Sequence, residues 1–163
     1  MKIGIDIGGS HIGIGLIEGS QIVAVKEKNF NREDRKNMEQ TIIFCIQEII
    51  DELLIESHLT IEEVELIGIA APGTISNGVI VKAGNLGLHN FQILTQLQKI
   101  YKTPMQMRND GKCAALAEKV YGAMKDYEDC VFINIGTGIG GAAFLGGKLL
   151  EPKRYSGFEF GHM

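Results

Sequence analysis

The chain has 163 residues, of which 45% are hydrophobic and 22% charged, with a formal net charge of −4. This is enough for one domain, or two small ones, around a real core. The negative balance gives no electrostatic reason to bind nucleic acid or an anionic membrane, and no apolar run approaches transmembrane length.

Ile3, Ile5 and Ile7 alternate with Lys2, Gly4 and Asp6, the period of a strand. The strand runs into Gly8-Gly9-Ser10, and Ile12, Ile14 and Leu16 continue as a second one. A hairpin results, with a carboxylate, glycines and a hydroxyl at its tip. The backbone N–H groups of such a turn can form a concave anion site, although glycine turns are also common without one. After the turn at Glu18-Gly19-Ser20, a third strand is predicted over Gln21 to Lys28, which makes an antiparallel meander. Asn29 to Asn37 reads as a connection. A long helix follows from about Met38 to Ser57, with Met38, Ile42, Cys45, Ile46, Ile49, Ile50 and Leu53 as its apolar stripe.

Glu65 to Ala71 reads as a buried strand ending at the turn Pro72-Gly73. Ile75 to Val81, interrupted by Asn77-Gly78, carries the chain's strongest hairpin signal. A loop is expected over Ala83 to Gly87, then a short helix marked by Phe91, Leu94, Leu97 and Tyr101. Pro104 leads into a strand from Met105 to Arg108. After Asn109-Asp110-Gly111, a helix from about Lys112 to Tyr121 is predicted to bury Cys113, Leu116, Ala117, Val120 and Tyr121. Cys130 to Ile135 and Ala142 to Leu145 read as strands around Gly136-Thr137-Gly138-Ile139-Gly140-Gly141. This alternation of strands and helices favours an α/β layer.

The N-terminus, interrupted by Asp6 and glycines, does not read as a signal peptide. Cys45, Cys113 and Cys130 are too far apart for a disulfide framework or a CxxC metal pair, which points to a reducing, cytoplasmic setting. Ile5-Asp6-Ile7-Gly8-Gly9-Ser10 and Ile133-Asn134-Ile135-Gly136-Thr137-Gly138 repeat one pattern of strand, glycine turn and strand. Two such hairpins facing a cleft could cradle phosphates; two unrelated glycine hairpins would look the same. Gly136, Gly138 and Gly141 also fit the GxGxxG spacing of dinucleotide folds. A strand rather than a helix follows them, which excludes that reading.

Together these motifs resemble the ROK family of sugar kinases and repressors, within the actin-like, ribonuclease-H-like ATPases. Asp6 to Ser10 is similar to its first phosphate loop, and Gly136 to Gly141 to its second. Ala71-Pro72-Gly73 and Gly84-Asn85-Leu86 resemble its sugar-side loops, Asn109-Asp110 its catalytic segment, and Glu159-Phe160-Gly161-His162 its Glu-x-Gly-His signature. The resemblance implies a mixed sheet flanked by helices over residues 1–109. It also implies the start of a second, similar lobe over 110–163. The implied activity is ATP-dependent phosphorylation of a hexose or hexose derivative, in a possible homodimer, with no nucleic acid and no membrane as partner.

Its implied residue roles follow the motifs. Asp110 is the general base by the resemblance; from the residues alone a helix N-cap is the favoured reading. Asp6 would hold Mg²⁺ through water, or else be a turn former. Gly8, Gly9, Ser10, His11, Gly136, Thr137 and Gly138 would contact the nucleotide phosphates. Gly73, Asn85, Asn109, Asp110, Glu159 and His162 would meet the sugar. Amides and carboxylates suit hydroxyls that donate and accept at once. The bland readings are turn formers for Asn85 and Asn109, and a solvated tail for Glu159 and His162.

Two residues depart from the family pattern: His11 stands where its kinases usually carry lysine, and Phe158 where a small residue is common. Family members also continue past Glu-x-Gly-His into a cysteine-rich Zn²⁺ motif, in which the counterpart of His162 can serve as a ligand. The expectation is therefore a truncated form or fragment, inactive alone, with an incomplete zinc site. Two alternatives remain: a sugar-binding regulator, which would need a DNA-binding helix-turn-helix before the first loop, and a non-catalytic remnant lobe.

Overall fold

A computed structural model describes residues 1–30, 37–135 and 139–151. It falls into two compact units, Met1–Arg108 and Asn109–Met163.

The first unit is built on a five-stranded sheet. Strands β1 (Lys2–Ile7), β2 (His11–Glu18) and β3 (Gln21–Asn29) form the meander. β4 (Leu66–Ala71) lies parallel to β1 on its other side, with Ile5 opposite Ile69 and Asp6 opposite Ala70. With β8 (Met105–Asn109) the order is β3-β2-β1-β4-β8. The alternation in β1 sends Ile3, Ile5 and Ile7 to the buried face and leaves Lys2 and Asp6 outside. Helix α1 (Met38–Glu56) packs its predicted stripe against that face, together with Leu54. Each fully buried Ile or Leu there contributes about 1.5–3 kcal/mol relative to exposure. The acidic side of α1 meets the edge strand, where Lys26 Nζ lies 2.8 Å from Glu52 and 2.6 Å from Glu56.

A smaller three-stranded sheet follows β4, made of β5 (Thr74–Ser76), β6 (Val79–Ala83) and β7 (Leu88–Phe91). The Asn77-Gly78 hairpin forms as predicted, with φ of 48° and 79°. The loop falls where expected, and the reading of the helix after it needs correction. Ala83 to Gly87 is a hairpin turn between β6 and β7, since Ala83 pairs with Leu88 and Ile80 with Phe91. Phe91 is therefore a fully buried strand residue, and helix α2 runs only over Ile93–Ile100, burying Ile93 and Leu97.

In the second unit, α3 (Asp110–Tyr121) packs on a sheet of β9 (Cys130–Ile135), β10 (Ile139–Leu145) and β11 (Lys148–Leu149). Its core is Ala115, Met124, Ala142 and Phe144. The predicted stripe of α3 is only partly right. Ala115 is the buried residue and Leu116 half-buried, whereas Ala117, Val120 and Tyr121 are exposed.

Candidate functional site

The first hairpin turn is held by main-chain bonds: Gly8 N donates to His11 O at 2.9 Å, and Phe30 N to Ser10 O at 2.9 Å. The His11 ring lies over Gly8. A Cβ added at Gly8 would fall 2.6 Å from His11 Cε1, so a side chain there requires the His11 ring to swing away. Asp6 stands opposite Gly13, which in turn stands opposite Glu27 on β3. Loss of surrounding water raises the Asp6 carboxyl above its ordinary value; His11 pulls it down and Glu27 pushes it up. Sequence reasoning missed Glu27, whose link to Asp6 passes across two strand pairings. The signal lay in counting register from Asp6 through Gly13.

Gly73 has φ of 83°, and a Cβ there would sit 2.1 Å from Lys82 O. Close backbone approach thus already requires glycine at this position. Asn85 is exposed in the β6–β7 turn, while its neighbour Leu86 is fully buried and anchors the turn.

At the start of α3, Asn109 has an extended backbone, with φ −60° and ψ 141°, and its side chain accepts from Lys112 N at 3.2 Å. The cap is therefore Asn109. Asp110 is the first helical residue, and its Oδ1 accepts from Gly111 N at 2.8 Å. Gly111 is buried and lies close to β9 and β10: a Cβ there would be 3.8 Å from Asn134 Oδ1 and 3.9 Å from Gly141 N.

Gly136, Thr137, Gly138, Glu159 and His162 lie outside the described residues. Among the described residues no group of His, Cys, Asp and Glu side chains is arranged to hold a metal ion, and the cysteines are free thiols. No described helix is long and apolar enough to cross a membrane.

The sequence model of the ROK family matches residues 2–163. A beta-glucoside kinase from Listeria monocytogenes is 31% identical over 171 residues, covering 100% of this chain and 53% of the relative. A glucokinase from Thermotoga maritima is 29% identical over 166 residues, covering 99% and 50%. Among solved structures, a ROK family glucokinase from Streptomyces griseus in complex with glucose and AMPPNP is 25% identical with a TM-score of 0.80, covering 99% of this chain and 50% of that one. The chain thus spans about half the length of the curated relatives it matches.

Proposed function

This chain belongs to the ROK family, and from that premise we propose that it carries the hexose-binding and proton-accepting half of an ATP-dependent, glucokinase-like sugar kinase. The observation that carries this reading is the start of α3. Asn109 supplies the N-cap, so Asp110 is not needed as the cap residue; its Oδ1 accepts from Gly111 N beside it. A carboxylate in the first turn of a helix sits where negative charge is favoured. In the proposed reaction Asp110 accepts the proton of the attacking sugar hydroxyl as the oxygen reaches the terminal phosphoryl group.

The remaining roles follow the motifs. Gly8, Gly9, Ser10 and His11 would face the nucleotide phosphates from the first hairpin, and Gly136, Thr137 and Gly138 from the second. Gly73, Asn85, Asn109, Glu159 and His162 would orient the sugar. The lobes would divide between residues 109 and 110. Asp6 suits Mg²⁺ held through water: it is a single carboxylate at a strand end, and Mg²⁺ keeps several waters and takes few carboxylates. The ion, when bound, would neutralise phosphate charge. No step is assigned to zinc, since His162 lies outside the described residues and no ligand group accompanies it among them.

The test is phosphorylation of a hexose panel with ATP and Mg²⁺. Asp110→Asn should lower turnover by about 10²-fold or more while hexose affinity measured by calorimetry is kept. Undiminished turnover in that variant removes Asp110 as the base. The 163 residues alone should turn over slowly, because they span half the length of the kinases they resemble. Hexose binding without any turnover in every protein carrying this sequence would favour a non-catalytic lobe.

A further inference from the structure

We propose that Lys119 is a positioning residue for Asp110: its ammonium acts as a built-in cation in a cage of main-chain carbonyls and so fixes how α3 lies on its sheet. Its bearing on Asp110 rests on the kinase reading above, whereas the cage stands without it.

Lys119 lies in the last turn of α3. Its Nζ donates to Tyr127 O at 2.7 Å, and to Met124 O and Lys125 O at 3.2 Å each. A lysine ammonium has three donors, and here all of them go to uncharged main chain. Lys26 and Lys28, by contrast, bond carboxylates of α1. Carbonyl oxygens turned toward one point repel each other unless a cation sits among them. The negative end of the α3 macrodipole adds to that demand. The cage is therefore a cation site, and Lys119 supplies the cation from within the chain.

The cage joins α3 to the rest of its unit. Met124, whose carbonyl is one of its walls, also places its side chain in the core with Ala115, Ala142 and Phe144. Ala123 N donates to Glu118 Oε2 at 3.0 Å, and Met124 N to Glu118 O at 3.2 Å. The segment that follows reaches the β10–β11 turn: Gly147 N donates to Glu128 O at 2.9 Å and Gly146 N to Asp129 Oδ1 at 2.7 Å. Helix, loop and hairpin are thus tied in sequence by hydrogen bonds. Apolar burial does little to fix the helix, because the residues it buries are Gly111 and Ala115, which bring almost no side chain. A helix released at its polar end can pivot about these two and re-aim the carboxylate of Asp110 beside them. A misplacement of ~1 Å can cost about 10²-fold in rate.

The first measurement needs no variant. In the nitrogen-labelled 163-residue chain, the Lys119 ammonium protons should exchange with water at least about tenfold slower than those of the exposed Lys99. Lys119→Met keeps the stem and removes the charge. It should shift the amide resonance of Gly111, whose N–H donates to Asp110 Oδ1, and Lys119→Arg should return it part of the way. In Lys119→Ala, propylammonium ion should restore the resonance, whereas tetramethylammonium, a cation without N–H donors, should not. In hexose phosphorylation with ATP and Mg²⁺, Lys119→Met should lower kcat by about tenfold with the hexose KM unchanged.

Ammonium protons that exchange as fast as those of Lys99 would overturn the cage. A Gly111 resonance unmoved in Lys119→Met, or a loss of turnover that neither Lys119→Arg nor propylammonium reverses, would overturn the positioning role. If Lys119→Met does not fold, recovery of Lys119→Ala by propylammonium alone supports the cage, and recovery by neither cation counts against it. A Gly111 resonance that moves in the variant, in a protein whose wild type phosphorylates no hexose, would leave the cage standing and overturn the kinase reading, and the role of Asp110 with it.

Discussion

Tyr101 shows how a single hydroxyl can work against the fold. Its side chain is buried, and the OH finds no hydrogen-bond partner among the described residues. Burial, then the charge of Asp51, pushes its pKa from 10.0 up to about 12. An unsatisfied buried hydroxyl costs about 1–3 kcal/mol, so Tyr101→Phe should raise stability by about 1 kcal/mol at neutral pH in urea unfolding. The pH dependence has a definite sign. The folded chain holds this proton more tightly than the unfolded one, so stability falls as pH rises between 10.0 and about 12. Tyr101→Phe should lack that alkaline loss, and an unchanged alkaline slope would mean that the hydroxyl is hydrated. Sequence patterning marked Tyr101 as an apolar helix position but could not show where its OH points. Gly8 makes the opposite case. Its motif is visible in the chain, yet the ring of His11 that covers it takes its place only once the turn has folded.

Element by element, periodicity succeeded where one face of a long segment is buried. The stripe of α1, the isoleucines of β1 and the Asn77-Gly78 turn were all readable, because each repeats or punctuates within a few residues. It failed where partners are distant or segments short. Nothing in Leu88-His89-Asn90-Phe91 alternates, and its strand character comes from pairing with β6. That lapse misplaced Phe91 on a helix. The loop at Gly73 joins the two levels: family resemblance assigns it to the sugar, while its geometry assigns it to the backbone. With φ of 83° and Lys82 O 2.1 Å from an added Cβ, Gly73→Ala must move main chain. We expect a loss of about 2 kcal/mol or more in stability, combining the left-handed strain with the clash. Denaturant unfolding checks this directly. A variant with native stability but lost hexose affinity would show that the sugar role alone holds glycine there.

Across the whole molecule, the two units differ in how their apolar residues are spent. In the first, β1, β2, β4 and α1 close a continuous core. In the second, Val131 and Ile133 are each 56% exposed and Ile135 82%, all on one face of β9, with Tyr121 at 72% on α3. Apolar side chains at helical spacing are what sequence reading takes for core, which is why the α3 stripe was overcalled. The pattern encodes burial potential, and the partner that would realise it is not written into local spacing. Exposed apolar strands add little to stability, since the gain scales with area removed from water. Local opening free energies should follow this difference. Native-state hydrogen exchange should find the amides of Ile5, Ile14 and Ile69 among the slowest in the chain. The amides of β9 and β10 should exchange at least about tenfold faster, reflecting a gap of about 1.4 kcal/mol or more in opening free energy. Equal protection in the two units would mean that the apolar face of β9 is covered in solution. Addition of a nucleotide that binds the second hairpin should then slow β9 and β10 selectively, because a ligand stabilises only the state that binds it.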